Sequence, residues 1–311
     1  RPARAALRVQ RHAAASAAPR HRFVGAAAAW RDGLYPPADP AGGLARHMRD
    51  LRAMFADLPS TFQRRSEADV ASAAGEAGAG QLPEYYTQDF HFQTGGYLSE
   101  DSARLYDVQV ETLFYGAAGA MRRVGLRPIA EFMRGRDQRR THLLDVASGT
   151  GRFLRDIRLA YPAMRLTGLD LSQSYLDEAR RHLEGLRPAE FLHANAEGIP
   201  LPDASQDIVT TVFLYHELPG EVRRRVTAEI ARVLKPGGLL VFIDSLQMGD
   251  RPAWDGLIEA FPVRFHEPYY AHYAHDDLDA MFNAAALQPW PLHPSAAPDD
   301  LPRSPPEICP L

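Results

Sequence analysis

The chain has 311 residues, 45 % of them hydrophobic and 24 % charged, with a formal net charge of -4. This is the composition of a globular protein with room for one large domain plus extensions, and the slightly acidic balance gives no electrostatic reason to expect a nucleic-acid partner. A single cysteine, Cys309, excludes a disulfide within the chain and a cysteine-built zinc site, and no apolar run reaches the roughly 20 residues that cross a bilayer as a helix.

Taken in chain order, residues 1–31 hold no Asp or Glu and are rich in Arg, Ala and Ser. That is the composition of a transit peptide, and a chloroplast address is expected, with the mitochondrion as the alternative. Residues 32–80 read as a variable helical and linker region, in which Ala71-Ser-Ala-Ala-Gly-Glu-Ala-Gly-Ala-Gly80 has a linker's small residues. Residues 81–140 are expected to form an N-terminal helical cap. Ser99 suits a helix N-cap, with Glu100 and Asp101 placed at the positive end of the helix dipole. Tyr106, Val110, Leu113, Phe114 and Ala117 then form a stripe expected to pack against the domain that follows.

From residue 141 to residue 288 strands and helices alternate. Short apolar runs at His142–Val146, Arg165–Asp170, Glu190–Ala194 and Asp207–Tyr215 read as buried strands, and Gly238–Asp244 supplies a fifth. Between them, Arg152–Tyr161, the stretch capped by Ser172, and Glu221–Leu234 carry apolar residues at helical spacing. Strands separated by helices over short connections predict an α/β fold, a doubly wound and mostly parallel sheet, with ligands beyond the carboxyl ends of its strands. Residues 289–311 are crowded with proline, which cannot donate to an interior ladder, and read as an irregular tail.

The chemistry-bearing motifs fall at those strand ends. Asp145-Val-Ala-Ser-Gly-Thr-Gly151 is a strand followed by a glycine-rich turn, where missing Cβ atoms let a ligand lie against main chain. A dinucleotide loop fits worse, because Ala147 and Leu154 stand where G-x-G-x-x-G needs glycines and Asp145 would repel a pyrophosphate. Asp170 ends the second strand, where an acid accepts hydrogen bonds from ribose hydroxyls. Asn195-Ala-Glu197 follows the third, and Leu234-Lys-Pro-Gly-Gly238 precedes the fifth.

Together these motifs resemble those of the class I S-adenosylmethionine (SAM)-dependent methyltransferases, in particular the group that includes the ubiquinone and menaquinone biosynthesis enzymes, over roughly residues 143–282. The resemblance implies a Rossmann-like fold and SAM as cofactor, held by Asp145, Ala147, Ser148, Gly149, Thr150, Gly151, Asp170, Leu171, Asn195, Ala196, Glu197 and Phe213. It implies methyl transfer to a small molecule, on oxygen or carbon, with quinone, phenolic or isoprenoid-like acceptors as candidates. The alternative is a degenerate SAM-binding protein with a regulatory or assembly role. His216 and Glu217, after the fourth strand, are the candidate catalytic groups.

Two segments rich in aromatic and histidine residues, Tyr85–Tyr97 and His266–His275, are expected to wall in the acceptor, with Tyr86, His91, Gln93, Tyr97 and Tyr269 touching it. His266, His272 and His275 lack a recognised metal-ligand spacing, and no metal is expected. Relatives close their sheet with a sixth parallel and a seventh antiparallel strand. Here Ala286–His293 can supply only a remnant of the sixth, so the terminal hairpin is expected to be incomplete.

Overall fold

The computed structural model describes residues 4–8, 48, 49, 51, 52, 54–56, 80, 82–88, 90 and 96–289. Most of the expected linker and the proline-rich tail after Pro289 lie outside the described residues, as do His91 and Gln93.

Among the described residues seven strands form one sheet: β1 (Arg4–Arg8), β2 (His142–Val146), β3 (Arg165–Asp170), β4 (Glu190–His193), β5 (Gln206–Val212), β6 (Leu234–Ile243) and β7 (Leu287–Pro289). Their order is β4-β3-β2-β5-β6-β1-β7, and every neighbouring pair is parallel. The order reverses at β2, whose neighbours are β3 and β5. That is the switch point at which open α/β sheets bind ligands. Near-continuous apolar runs such as Leu239–Ile243, all buried, reflect a sheet covered on both faces.

The helices α1 to α4 are Glu100–Leu113, Ala118–Arg123, Leu126–Met133 and Arg152–Ala160, and the last two cover one face. Leu126, Ile129, Phe153 and Ile157 pack there on Leu143, Leu239 and Val241. The helix α5 (Gln173–His182) follows β3, and α6 (Gly220–Val233) precedes β6. On the second face α6 joins α9 (Leu278–Ala284), so that Val222, Val226, Ile230 and Phe282 meet Leu144, Val209 and Phe242. The helices α7 (Asp255–Phe265) and α8 (Tyr270–His275) bridge β6 to α9. Each fully buried large apolar side chain contributes about 1.5–3 kcal/mol. Both predicted caps form: Ser99 accepts from Ser102 N, and Ser172 accepts from Tyr175 N.

Three expectations change in detail. Among the described residues of the cap region the Tyr106–Ala117 stripe is broken at Gly116 (φ 77°), and α1, α2 and α3 follow one another. The fourth motif strand stops at Val212 instead of Tyr215, because Phe213 takes a positive φ of 59° and a 3-10 turn, Tyr215–Glu217, follows. The motif Lys235-Pro-Gly-Gly238 lies inside β6 as an irregularity, the register jumping from Gln206↔Leu234 to Ile208↔Leu239. A Cβ on Gly238 would sit 2.9 Å from Asp207 O, so this close approach of β5 demands glycine.

The sixth-strand remnant forms as β7, but it does not touch β6. Arg4–Arg8, the start of the segment expected to be a transit peptide, runs between them as β1.

Candidate active site

The turn after β2 is built by backbone conformations that most residues avoid. Ala147 (φ 56°), Gly149 (φ 53°) and Gly151 (φ 72°) all adopt positive φ. Ser148 N donates to Leu169 O at 2.9 Å, which ties the turn to β3. Asp170 ties it further: Oδ2 accepts from Gly149 N at 2.8 Å and Oδ1 from Ser172 N at 2.9 Å. Burial raises the Asp170 carboxyl from the usual range, against the opposing pull of these amides.

A cleft of about 730 Å³, its open mouth included, lies over these strand ends. One side presents Ala147, Gly149, Asp170, Leu171, Asn195, Ala196 and Phe213. The opposite wall is tyrosine: Tyr85 and Tyr86 from a 3-10 turn, Tyr97, Tyr106 from α1 and Tyr175 from α5. Tyr97 stacks on Phe90 at 5.4 Å and meets Tyr106 and Tyr175 edge-on at 6.0 and 5.7 Å. Such pairs stabilise one another beyond their buried area.

The donor set fits a nucleoside. Among the described residues nothing stands closer than 3.9 Å to a Cβ built on Gly149, which leaves a ligand room against that backbone. An acid flanked by Leu171 matches a ribose between apolar neighbours, and the Asn195 amide beside Ala196 matches the polar edge of a base.

Residues 143–238 match the family model described as a methyltransferase domain. A demethylmenaquinone methyltransferase of Listeria welshimeri is 35 % identical over 143 residues, which cover 44 % of this chain and 58 % of that protein. A ubiquinone/menaquinone biosynthesis C-methyltransferase of Methylobacterium nodulans is 32 % identical over 166 residues, 52 % of this chain and 63 % of that protein. The chain thus spans less than two thirds of the length of these curated relatives. A SAM-dependent methyltransferase from Aquifex aeolicus is similar in structure, with TM-score 0.38, 22 % identity, and 52 % of this chain and 78 % of that one covered. Over residues 143–238 the chain is similar to methyltransferase domains, and its parallel sheet and strand-end motifs agree with that similarity.

The expected cofactor residues divide by position. Ala147, Gly149, Asp170, Leu171, Asn195, Ala196 and Phe213 line the cleft. Asp145 lies beneath it, accepts from Thr210 Oγ1 at 2.6 Å, and is pushed up to about 7 by burial. Ser148 is buried. Thr150 points away and donates to Asp107 Oδ1. Gly151 serves packing, since a Cβ there would stand 2.8 Å from Ala179 Cβ. Glu197 acts at the rim, accepting from Tyr85 Oη at 2.6 Å, from Asn195 Nδ2 at 3.2 Å and from Arg225 Nε at 2.6 Å.

Among the expected acceptor contacts, Tyr86 and Tyr97 line the cleft, whereas Tyr269 packs behind that aromatic cluster and accepts from Gln88 at 2.9 Å. Tyr97 Oη donates to Glu217 Oε1 at 2.6 Å, so the cap and the motif after β5 meet directly. Glu217 lines the cleft, and burial pushes it up to about 7 despite His216 nearby. His216 stands behind it, its Nδ1 donating to Asp244 Oδ1 at 2.6 Å. Burial favours the neutral ring, but the Asp244 carboxylate outweighs it and holds the imidazole up at about 10.

Sequence reasoning missed Tyr106 and Tyr175 as cleft residues, and missed Asp107, Asp244 and Glu267 altogether. The two tyrosines were legible only as members of apolar helix stripes. No local pattern singles out the three acids.

Proposed function

We propose that this protein transfers a methyl group from SAM to a small, flat acceptor held against the tyrosine wall, with its protic group at the Glu217 end. The observation that carries this reading is the meeting of the two halves of the cleft. The cofactor side ends at Phe213, and four residues later Glu217 accepts from Tyr97 of the cap, with His216 behind it. When bound, SAM supplies an electrophilic methyl on a sulfonium. The protein supplies alignment and a site screened from water.

In this reading the ribose hydroxyls donate to Asp170, the exocyclic amine of the base meets Asn195, and the positive-φ turns at Ala147 and Phe213 flank the amino-acid arm. Aromatic rings suit a quinol, phenol or enol better than a flexible polar chain, and acceptance on oxygen or on an adjacent carbon both follow from such an acceptor. The curated relatives named above support a quinone-like acceptor. A plastid location remains part of the proposal, resting on the composition of residues 1–31.

The reading is tested by titrating S-adenosylhomocysteine into the purified chain, then following label transfer from methyl-labelled SAM to a panel of quinols and phenols. Binding with turnover of one acceptor is expected. Binding without turnover of any acceptor or plastid extract would favour the degenerate binder, and no binding by folded protein would end both.

A further inference from the structure

Behind Glu217 lies a buried group of side chains that the cofactor site does not use. Asp244 follows the carboxyl end of β6, His216 sits in the turn after β5, and Glu267 lies between α7 and α8. Asp244 is 3 %, His216 6 % and Glu267 1 % exposed. One donor atom from each of His216, Glu217 and Glu267 falls within 4.8 Å of the others. An ion holding such ligands at about 2.0–2.2 Å sets opposed donors about 4 Å apart, so small side-chain rotations close the set.

The histidine is also oriented for this task. Its Nδ1 faces Asp244 Oδ1 at 2.6 Å, while Nε2 faces Glu217 Oε1 at 3.9 Å. With Nδ1 committed to a carboxylate, Nε2 is the ring nitrogen left to a metal, on the side of Glu217. This carboxylate–imidazole–metal order is how proteins generally fix a metal-bound histidine. Asp244 is itself anchored, accepting from Leu214 N and Tyr215 N through Oδ2.

We propose that His216 Nε2, Glu217 and Glu267 bind one divalent transition-metal ion, with Asp244 orienting the histidine. One imidazole and two carboxylates suit Mn²⁺, Fe²⁺ or Zn²⁺ better than Ca²⁺, which prefers an all-oxygen shell. Glu217 lines the cleft, so the remaining coordination positions open toward the acceptor and take its oxygen. That last role rests on the methyltransferase reading; the binding of the ion does not. The spacing that suggested no metal concerned His266, His272 and His275, and none of these belongs to the cluster. Glu267 comes to His216 through the fold.

The test is titration of the metal-stripped full chain with Co²⁺, followed by its visible absorption, with S-adenosylhomocysteine binding measured in parallel. One Co²⁺ per chain is expected, with at least tenfold weaker binding in both Glu267→Gln and His216→Gln and an unchanged circular dichroism spectrum. A folded wild-type chain that takes up no Co²⁺, with or without S-adenosylhomocysteine, overturns the site. So does Co²⁺ binding that both variants leave intact. Should a variant fail to fold, the wild-type chain loaded with Mn²⁺ decides: nitrogen coupling from one imidazole in its pulsed paramagnetic resonance spectrum supports the site, and its absence overturns it. Loss of S-adenosylhomocysteine binding alone, with Co²⁺ retained, counts against the methyltransferase reading and leaves the ion in place.

Discussion

Asp107 on α1 accepts a hydrogen bond from Thr150 Oγ1 at 2.8 Å, so the cap helix is bonded to the turn that follows β2. The same carboxylate pairs with Arg152 Nε at 2.7 Å, and His182 Nδ1 donates to Thr150 O at 2.6 Å from the other side. The cap therefore positions the cofactor turn as well as covering it. Asp107→Asn removes one charge from a buried pair and is expected to cost about 2–4 kcal/mol of stability, with weaker S-adenosylhomocysteine binding in the protein that remains folded. Burial raises the Asp107 carboxyl, but Arg152, His182 and Arg122 outweigh burial and leave it below its ordinary value. Its contribution is therefore present above pH ~4 and lost as pH falls through the depressed native value. Urea unfolding between pH 3 and 7 should show a shallower acid limb in Asp107→Asn.

Asp145 carries the opposite sign. Burial holds it near 7 in the folded chain, so the folded state takes up a proton that the unfolded state releases near pH 4. Stability contributed by this group falls as pH rises between those values. Asp145→Asn keeps an acceptor for Thr210 and should stabilise the ligand-free protein by about 1–3 kcal/mol at pH 8, on a scale of ~1.4 kcal/mol for each tenfold change in proton affinity. The gain should vanish near pH 4. A thermal melt series across that range checks both statements.

The two glycines of the turn should respond differently. Gly151→Ala meets Ala179 at 2.8 Å and retains φ 72°, so overpacking and backbone strain add. A cost of roughly 2–4 kcal/mol is expected. Gly149→Ala meets nothing nearer than 3.9 Å among the described residues at φ 53°, so strain alone should cost about 1 kcal/mol. Its new methyl group faces the ligand's space, and binding should suffer more than stability. Denaturation and calorimetric titration of the two variants separate these effects.

Asp170 presents the acid at the cleft. Asp170→Asn should weaken S-adenosylhomocysteine binding by about 10- to 100-fold, the effect of losing a charged acceptor worth ~1.5–3 kcal/mol. An unchanged affinity would remove the ribose role. Because Asp170 also accepts from Gly149 N and Ser172 N, melting temperature must be measured beside affinity.

The strand Arg4–Arg8 bears on the proposed address. Removing residues 1–31, as transit-peptide cleavage would, deletes β1 and leaves facing edges on β6 and β7. The shortened chain should melt several degrees lower than the full one and aggregate more readily. Equal melting temperatures would show that β1 contributes little to the sheet.

What could be read from the sequence was whatever sits at a strand end beside its own punctuation. Gly149, Asp170 and Asn195 each follow a short apolar run, and periodicity places such runs side by side in a parallel sheet. Ser99 and Ser172 could be read because a cap acts within three residues. The rest depends on pairings that no local rule encodes. Asp244 reaches His216 because β6 lies beside β5, and Glu267 reaches both only after α7 turns the chain back. Tyr106 and Tyr175 become one wall because α1 packs on α5. The early end of β5 follows from the positive φ at Phe213, whose ring stacks on Phe114 at 5.6 Å, a contact between segments far apart in sequence.

The position of β1 also sets an order of events. Leu7 pairs with Val241 and Arg4 with Leu287, so this strand precedes its partners by most of the chain. Pairings of such long range delay folding more than they alter final stability. The sheet from β4 through β6 can assemble without β1, whereas β7 has no ladder until β1 arrives. The cofactor half of the molecule can thus mature first, with closure of the far sheet edge as a separate and slower event.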